Sequence, residues 1–279
     1  MVMRNPKQVG TDLFDCRIQT GQCPNACNQC FYNRDGAYYQ DINQPAIPTP
    51  EEVGDGIVRM NCGHDSNIQK DTVIATAQKY RHFFFNTSMN PRKIWDFPGP
   101  VVLTLNPHEE EPITVPAEEL DFLNLMFIRL RVSPTNLPYI IDFVHASQAN
   151  QLPIVLTFMA YYDQLPPGMI KVDDTHCRYL ESPNGECLAE YEWKVRHINS
   201  YWCPSPNFIA YVLERLSAPL THTLRNVSVC GTLEYPKFNY YCKDCRNCET
   251  YYWQTRKRMK ECEWLSYPGE DSHLPWAAM

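Results

Sequence analysis

The chain has 279 residues, 44% of them hydrophobic and 20% charged, with a net charge of −7 and a pI near 5.6. That is an ordinary soluble globular composition, long enough for one large α/β barrel or two small domains. The acidic balance argues against a protein that relies on broad, non-specific phosphate attraction. No apolar leader follows Met1-Val2-Met3-Arg4 and no run approaches the roughly 18 apolar residues of a spanning helix, so a cytoplasmic protein without a membrane partner is expected.

A short apolar run, Leu13-Phe14-Asp15-Cys16-Arg17-Ile18, predicts a first strand. It leads into a Gly/Pro/Asn-rich loop, residues 20–34, that carries Cys23, Cys27 and Cys30 at C-x3-C-x2-C spacing. A loop this polar has little apolar surface in which to bury thiols, and a structural zinc site wants four ligands. Three thiolates do suit three irons of a [4Fe–4S] cube, which normally has four cysteine ligands, leaving one iron for an exogenous ligand.

Downstream, Thr49-Pro50-Glu51-Glu52 reads as an N-cap, a first-turn proline and a capping-box glutamate. Val53, Ile57 and Met60 then recur at helical spacing up to Gly63. A second helix is expected over 68–80 and a strand over 82–88. Strands follow at 101–105, 126–132, 153–159 and 226–231, with helices expected from Pro116, over 137–151 and over 207–216. Six strands alternating with helices imply right-handed parallel crossovers and a partial (β/α)6 barrel. In such folds chemistry gathers at the C-terminal strand ends, where Cys23, Asn86, Asn106, Ser133 and Cys230 fall.

Residues 160–205 interrupt the alternation as an insertion with a hairpin, 175–181 returning over 186–193 through Asn184-Gly185. It either covers the site or decorates the surface, with Cys177 and Cys187 on facing strands.

More than half of the 13 cysteines lie in two places, which in a cytosolic-looking chain reads as metal ligation rather than a disulfide framework. The second place is Cys230, Cys242, Cys245 and Cys248, a C-x11-C-x2-C-x2-C pattern in a strongly polar stretch. It supplies a complete ligand set for an auxiliary [4Fe–4S] cluster or for zinc. Residues 230–279 are read as a cysteine-rich extension to a barrel over 1–229. Within it, Arg256-Lys257-Arg258-Met259-Lys260 follows Tyr251-Tyr252-Trp253, a solvated amphipathic helix or a stacking surface for single-stranded nucleic acid.

With these motifs the chain resembles the radical S-adenosylmethionine (radical SAM) superfamily. It is similar as well to phage-encoded radical-SAM-like proteins that share an early cysteine loop, a middle strand ending in Val132-Ser133 and a terminal C-x2-C-x2-C. The resemblance implies a radical-SAM-type partial barrel with Cys23, Cys27 and Cys30 holding a cluster whose open iron is chelated by S-adenosylmethionine. The family commonly places an aromatic residue before the third cysteine; here that position is Gln29, and Phe31 and Tyr32 follow instead as candidate cofactor contacts. Where the family carries a Gly-Gly-Glu-type motif for the cofactor's amino group, this chain has Asn86-Thr87-Ser88. Arg131 and Ser133 occupy the usual place for ribose or carboxylate contacts, and Arg129 shares Arg131's face of the strand. Arginines paired with structural carboxylates are the other explanation for that pair.

The resemblance implies reductive cleavage of S-adenosylmethionine, hydrogen abstraction from a peptide, small-molecule or nucleotide substrate, and a flavodoxin- or ferredoxin-type reductant. The alternatives are a non-enzymatic iron–sulfur or zinc protein on the same fold and a zinc-stabilised nucleic-acid-binding module.

Overall fold

Seven short parallel strands make one sheet that curls into a half-barrel. They are β1 (Leu13–Asp15), β2 (Ile57–Arg59), β3 (His82–Thr87), β4 (Val101–Thr104), β5 (Leu125–Arg131), β6 (Ile154–Thr157) and β11 (Val227–Val229). Between the last two, β7 (Ile170–Lys171), β8 (His176–Leu180), β9 (Cys187–Lys194) and β10 (Tyr201–Pro204) form a separate antiparallel sheet. The computed structural model describes residues 5–27, 30, 43–88, 94, 96–106, 108, 112–158, 168–180, 187–194, 201–217, 224, 226–231 and 242–266.

Each strand of the large sheet pairs with the next in chain order. Every crossover therefore steps the same way, and uniform right-handedness leaves the connecting helices on one face. That outer face presents Val58, Phe85, Leu103, Ile128, Leu130 and Leu156 to one continuous core. Helices α1 (Pro50–Val53), α2 (Lys70–Ala77), α3 (Leu137–Ser147) and α4 (Pro206–Ser217) contribute to it. In α3, Leu137, Ile140, Phe143, Val144 and Ser147 are buried, an i, i+3, i+4 stripe that faces the sheet.

Two expectations are corrected. The capping box forms, with Thr49 Oγ1 accepting from Glu52 N at 3.2 Å and Glu52 Oε2 accepting from Thr49 N at 2.9 Å. The helix nevertheless stops at Val53, because Gly54 turns to φ 56°. At Gly56 a Cβ would sit 2.5 Å from the Phe14 ring, so only glycine allows the chain to pass there. Ile57 and Val58 then enter a strand buried on both faces, whose unbroken apolar run coincides with a helical spacing. Among the described residues the parallel sheet therefore has seven strands, not six. The helix expected from Pro116 shrinks to a 3-10 turn over Ala117–Leu120, since β5 begins at Leu125.

The insertion forms the expected hairpin within a four-stranded sheet, while its turn residues 182–185 lie outside the described residues. Cys177 pairs in register with Tyr191, and Cys187 with Leu180, so the two cysteines are not opposite each other. The buried Cys177, Ala189, Tyr191 and Trp202 join the outer core, and Tyr191 lies 6.2 Å from the Phe208 ring of α4.

The inner face carries a second, smaller core: Leu13, Ile57, Phe84, Val102, Phe127 and Val155, closed by Tyr252. Each large side chain buried there contributes about 1.5–3 kcal/mol. Tyr252 belongs to α6 (Asn247–Ser266), which follows the one-turn α5 (Cys242–Cys245). The C-terminal segment therefore lies inside the half-barrel and ties its two free edges together. Glu249 Oε1 accepts from Asp12 N beside β1 at 2.8 Å. Asn247 Nδ2 donates to Val229 O of β11 at 2.8 Å. The Arg258 guanidinium donates to the Leu123 and Leu125 carbonyls beneath β5. The helix expected to be solvated is thus docked along its Tyr252–Thr255 face, both residues being buried. Among the described residues no helix is long and apolar enough to cross a membrane.

Candidate functional site

The cysteine loop leaves β1 at Asp15, and an isolated antiparallel bridge between Arg17 and Ala46 closes its base. Cys23, Cys27 and Cys30 are all half-buried. Two tight turns set their spacing: Ala26 N donates to Cys23 O at 3.2 Å and Cys30 N to Cys27 O at 3.1 Å. Ala26 adopts φ 43°, a conformation usual for glycine or asparagine, so this turn stores local strain. Burial, and to a lesser degree the neighbouring Cys27 and Asp65, push the Cys23 thiol up; the backbone N–H groups of Asn25 and Asp65 that point at its sulfur oppose this. Phe31 and Tyr32, the aromatic candidates, lie outside the described residues, as does Gln29.

Asp65, in the loop after β2, is the residue that inspection of the sequence missed. Its Oδ1 accepts from Thr87 Oγ1 at 2.8 Å and Asn67 N at 2.9 Å. Its Oδ2 accepts from Ser88 N at 2.6 Å, Ser88 Oγ at 3.1 Å and Asn25 Nδ2 at 3.2 Å. One buried carboxylate thereby joins the cysteine loop to the end of β3. The available signal was Asp65-Ser66-Asn67, a run of turn-forming residues just past a strand. The helical spacing of Val53, Ile57 and Met60 hides the strand end that this run follows.

The remaining candidates divide by face. Asn86 shares the inner face with Phe84, and its buried Oδ1 has no hydrogen-bond partner. Thr87 points the other way, donating to Asp65 and accepting from Asn67 Nδ2 at 2.8 Å. Ser88 sits between Asp65 and the cysteine loop, with its Oγ 3.8 Å from Cys27 Sγ. A β-bulge opposite Val101/Val102 sets β5 so that Phe127, Arg129 and Arg131 face inward. The Arg131 backbone is clamped by Asn106, whose Oδ1 accepts from its N–H at 2.9 Å and whose Nδ2 donates to its carbonyl at 2.7 Å. Arg131 Nη1 is buried without a partner. Ser133 is engaged locally: its N–H donates to Asn136 Oδ1, and its hydroxyl meets Thr135 at 2.9 Å.

The four C-terminal thiols come together on the inner face beside Tyr251, where Cys230, Cys242 and Cys248 pack on the small core. Cys230 follows β11, and Cys242 to Cys248 span α5 and the first turn of α6. Cys230 donates a hydrogen bond to Cys245, which lifts Cys230 well above the usual thiol range and holds Cys245 below it. The N–H groups of Asn247 and Gly231 also favour the Cys245 thiolate. Burial pushes Cys242 up to about 12 and raises Cys248, while the positive charges of Arg129 and Arg59 pull Cys248 back. Arg59 is itself held by Asp15 in a two-pronged pair at 2.8 and 2.9 Å.

Among the described residues, no three or more His, Cys, Asp or Glu side chains are arranged to hold a single metal ion. A single zinc ion needs its ligands about 2.0–2.3 Å from one centre, whereas a cube binds each thiolate to a different iron. The donor chemistry, soft thiols gathered beside two guanidinium groups, fits an anionic thiolate-bound cluster and not an oxygen-seeking ion such as magnesium. No protein-family model, curated protein or solved structure matches the chain.

Proposed function

We propose that this chain is a radical SAM enzyme: a partial barrel of that type carrying a [4Fe–4S] cluster on Cys23, Cys27 and Cys30. In this reading S-adenosylmethionine binds across the C-terminal strand ends, and the substrate is a peptide, small molecule or nucleotide. The observation that carries it is a conjunction. Three thiols follow β1, and the same sheet's inner face holds an unpartnered Arg131 Nη1 and an unpartnered Asn86 Oδ1.

When bound, the cluster supplies the electron for reductive cleavage of S-adenosylmethionine into methionine and a 5′-deoxyadenosyl radical. The protein's part is binding, orientation and exclusion of water. Arg131 donates from Nη1 to a carboxylate, and its backbone, clamped by Asn106 and Asn136, cannot swing away. Asn86 Oδ1 accepts from an ammonium group. Together they suit an amino-acid zwitterion, which is what S-adenosylmethionine presents. Phe84 and Phe127 form an apolar floor that keeps water from the inner face below. The Cys230, Cys242, Cys245 and Cys248 set would hold a second [4Fe–4S] cluster or zinc. Such a tetrathiolate is a dianion in either case, and Arg59 and Arg129 offset that charge.

One observation favours a second reading, a non-enzymatic metal-binding protein on the same fold. Thr87 and Ser88 carry no carboxylate and their hydroxyls are engaged by Asp65, whose own oxygens are filled, so the end of β3 offers the ammonium group no free anion. The deciding experiment is anaerobic purification with iron, sulfide and zinc quantified, then addition of S-adenosylmethionine and dithionite and assay for 5′-deoxyadenosine. About eight irons per chain with product supports the two-cluster enzyme. About four irons with one zinc makes the C-terminal site structural. Iron without product, or zinc alone, favours the second reading; absence of iron overturns the first, and absence of any metal overturns both.

A further inference from the structure

We propose that Asp65 is the residue that positions the cysteine loop for cluster binding, acting through Asn25, Ser88 and its own backbone N–H. This rests on the assignment of Cys23, Cys27 and Cys30 as cluster ligands and adds a part that neither motif nor spacing carries.

A second role for Asp65 would be as the carboxylate that the end of β3 lacks, placed one strand over to bind the cofactor's ammonium group. Its hydrogen bonds exclude that role. An ionised carboxylate offers about four lone-pair sites, and five donors already converge on this one. With only 5% of the residue exposed, no ligand group reaches it. It positions other groups and does not itself bind.

What it holds is specific to the loop. The Asn25 side chain donates to Asp65, and the Asn25 backbone N–H points at the Cys23 sulfur. The Asp65 N–H points at the same sulfur. Ser88 takes both its backbone and hydroxyl directions from Asp65, and that hydroxyl stands 3.8 Å from Cys27 Sγ. Two of the three thiols are thus met by groups whose orientation Asp65 sets. The Asp65 segment is itself anchored: Asn61 Nδ2 donates to Asp65 O at 2.9 Å, and Gln19, on the approach to the cysteine loop, donates to Ile68 O. Ser66 N donates to Asn86 O at 2.9 Å, tying the segment to the neighbouring strand end. A polar loop with three cysteines has no apolar core to shape it, so hydrogen bonds to a buried anion must do so. Groups that orient thiolate ligands also tune the metal, and their loss typically weakens retention about 10–100-fold.

The test uses the full-length protein and three substitutions, with iron release to a chelator and the reduction potential as readouts. Cys23→Ser defines the iron and the spectral signal that belong to the N-terminal site. Asp65→Asn keeps the shape but replaces an acceptor oxygen with an amide that donates into existing donors. Asn25→Ala removes one link at a half-exposed position where global folding is not at stake. The expected result is iron release from the N-terminal site about 10–100-fold faster in Asp65→Asn. A smaller change in the same direction is expected in Asn25→Ala, and the potential should shift in both. A merely structural residue would lower the melting temperature and leave the potential of the folded fraction where it was. Unchanged release and potential in both variants, with wild-type protein holding iron that Cys23→Ser loses, overturns the role of Asp65 alone. Equal iron in wild type and Cys23→Ser overturns the cluster assignment and this inference with it.

Discussion

The two thiol groups of this protein are built on opposite physical principles. Cys23, Cys27 and Cys30 sit on a polar loop whose shape comes from a buried anion, tight turns and a strained Ala26. Cys230, Cys242, Cys245 and Cys248 lie against an apolar layer of Phe127, Tyr251 and Tyr252, on a segment that fastens the two edges of the sheet. None of the first group belongs to a buried core, whereas Cys230, Cys242 and Cys248 pack on the inner one. A loop that must admit a ligand gains from the first construction, and a segment that must close a barrel gains from the second.

The largest test of this contrast is Cys248→Ser. It should remove the C-terminal metal and lower folding stability by more than about 4 kcal/mol, the range of metal loss, in denaturant melts paired with metal analysis. Stability within about 0.5 kcal/mol of wild type, as for a surface change, would erase the distinction between the two groups. Cys27→Ser should do the reverse, removing about four irons per chain and all 5′-deoxyadenosine formation while the melt stays within about 0.5 kcal/mol. Arg131→Gln sharpens the picture at the strand ends. Losing a hydrogen bond to a charged group costs about 1.5–3 kcal/mol, so S-adenosylmethionine should bind roughly 10- to 150-fold more weakly by calorimetry, with iron content unchanged. An unaltered affinity would remove Arg131 from the site.

The smallest expected effect lies where α6 meets β3. His82 Nδ1 stands 3.2 Å from Tyr252 Oη, and the Trp253 ring is 4.8 Å away. Burial, then Arg81 and Arg256, hold the His82 pKa below its ordinary value, with Lys260 adding slightly and Asp55 opposing. A base whose folded pKa is lowered favours the neutral form in the native state. Its contribution is complete above the unfolded pKa of about 6.5 and fades as pH falls toward the folded value. Stability should therefore decline on acidification through that window with a slope below one proton. His82→Gln should flatten the slope, as read from urea midpoints at several pH values, and an unchanged slope would assign it to another group.

Several elements were legible because local chemistry and tertiary context agreed. The apolar runs from Val101, Met126 and Pro153 become β4, β5 and β6, and the stripe from Leu137 becomes α3. That Arg129 and Arg131 share one face followed from the two-residue period of a strand; that this face is the inner one follows from the bulge and the packing of Phe127. At Ile57 the apolar spacing of a doubly buried strand was indistinguishable from a helix stripe, and only the Phe14 ring above Gly56 decides between them. Missing β2 concealed Asp65, because a strand end must be known before the residue after it can be read. The basic, aromatic C-terminal helix looked solvated since nothing in its own sequence reveals an open barrel waiting to receive Tyr252.

By itself, then, the sequence determined the chemistry in hand: which thiols stand close along the chain, which runs are apolar, and where turns and caps begin. These properties depend on neighbours within a few residues, and covalent proximity sets them before any folding occurs. Tertiary structure alone decided that the four C-terminal thiols lie on the inner face of the half-barrel, that Asp65 reaches Asn25 and Ser88, and that Arg59 and Arg129 flank those thiols. Those contacts join residues far apart in the chain, and they arise because curling a parallel sheet brings its strand ends and its two edges toward one interior.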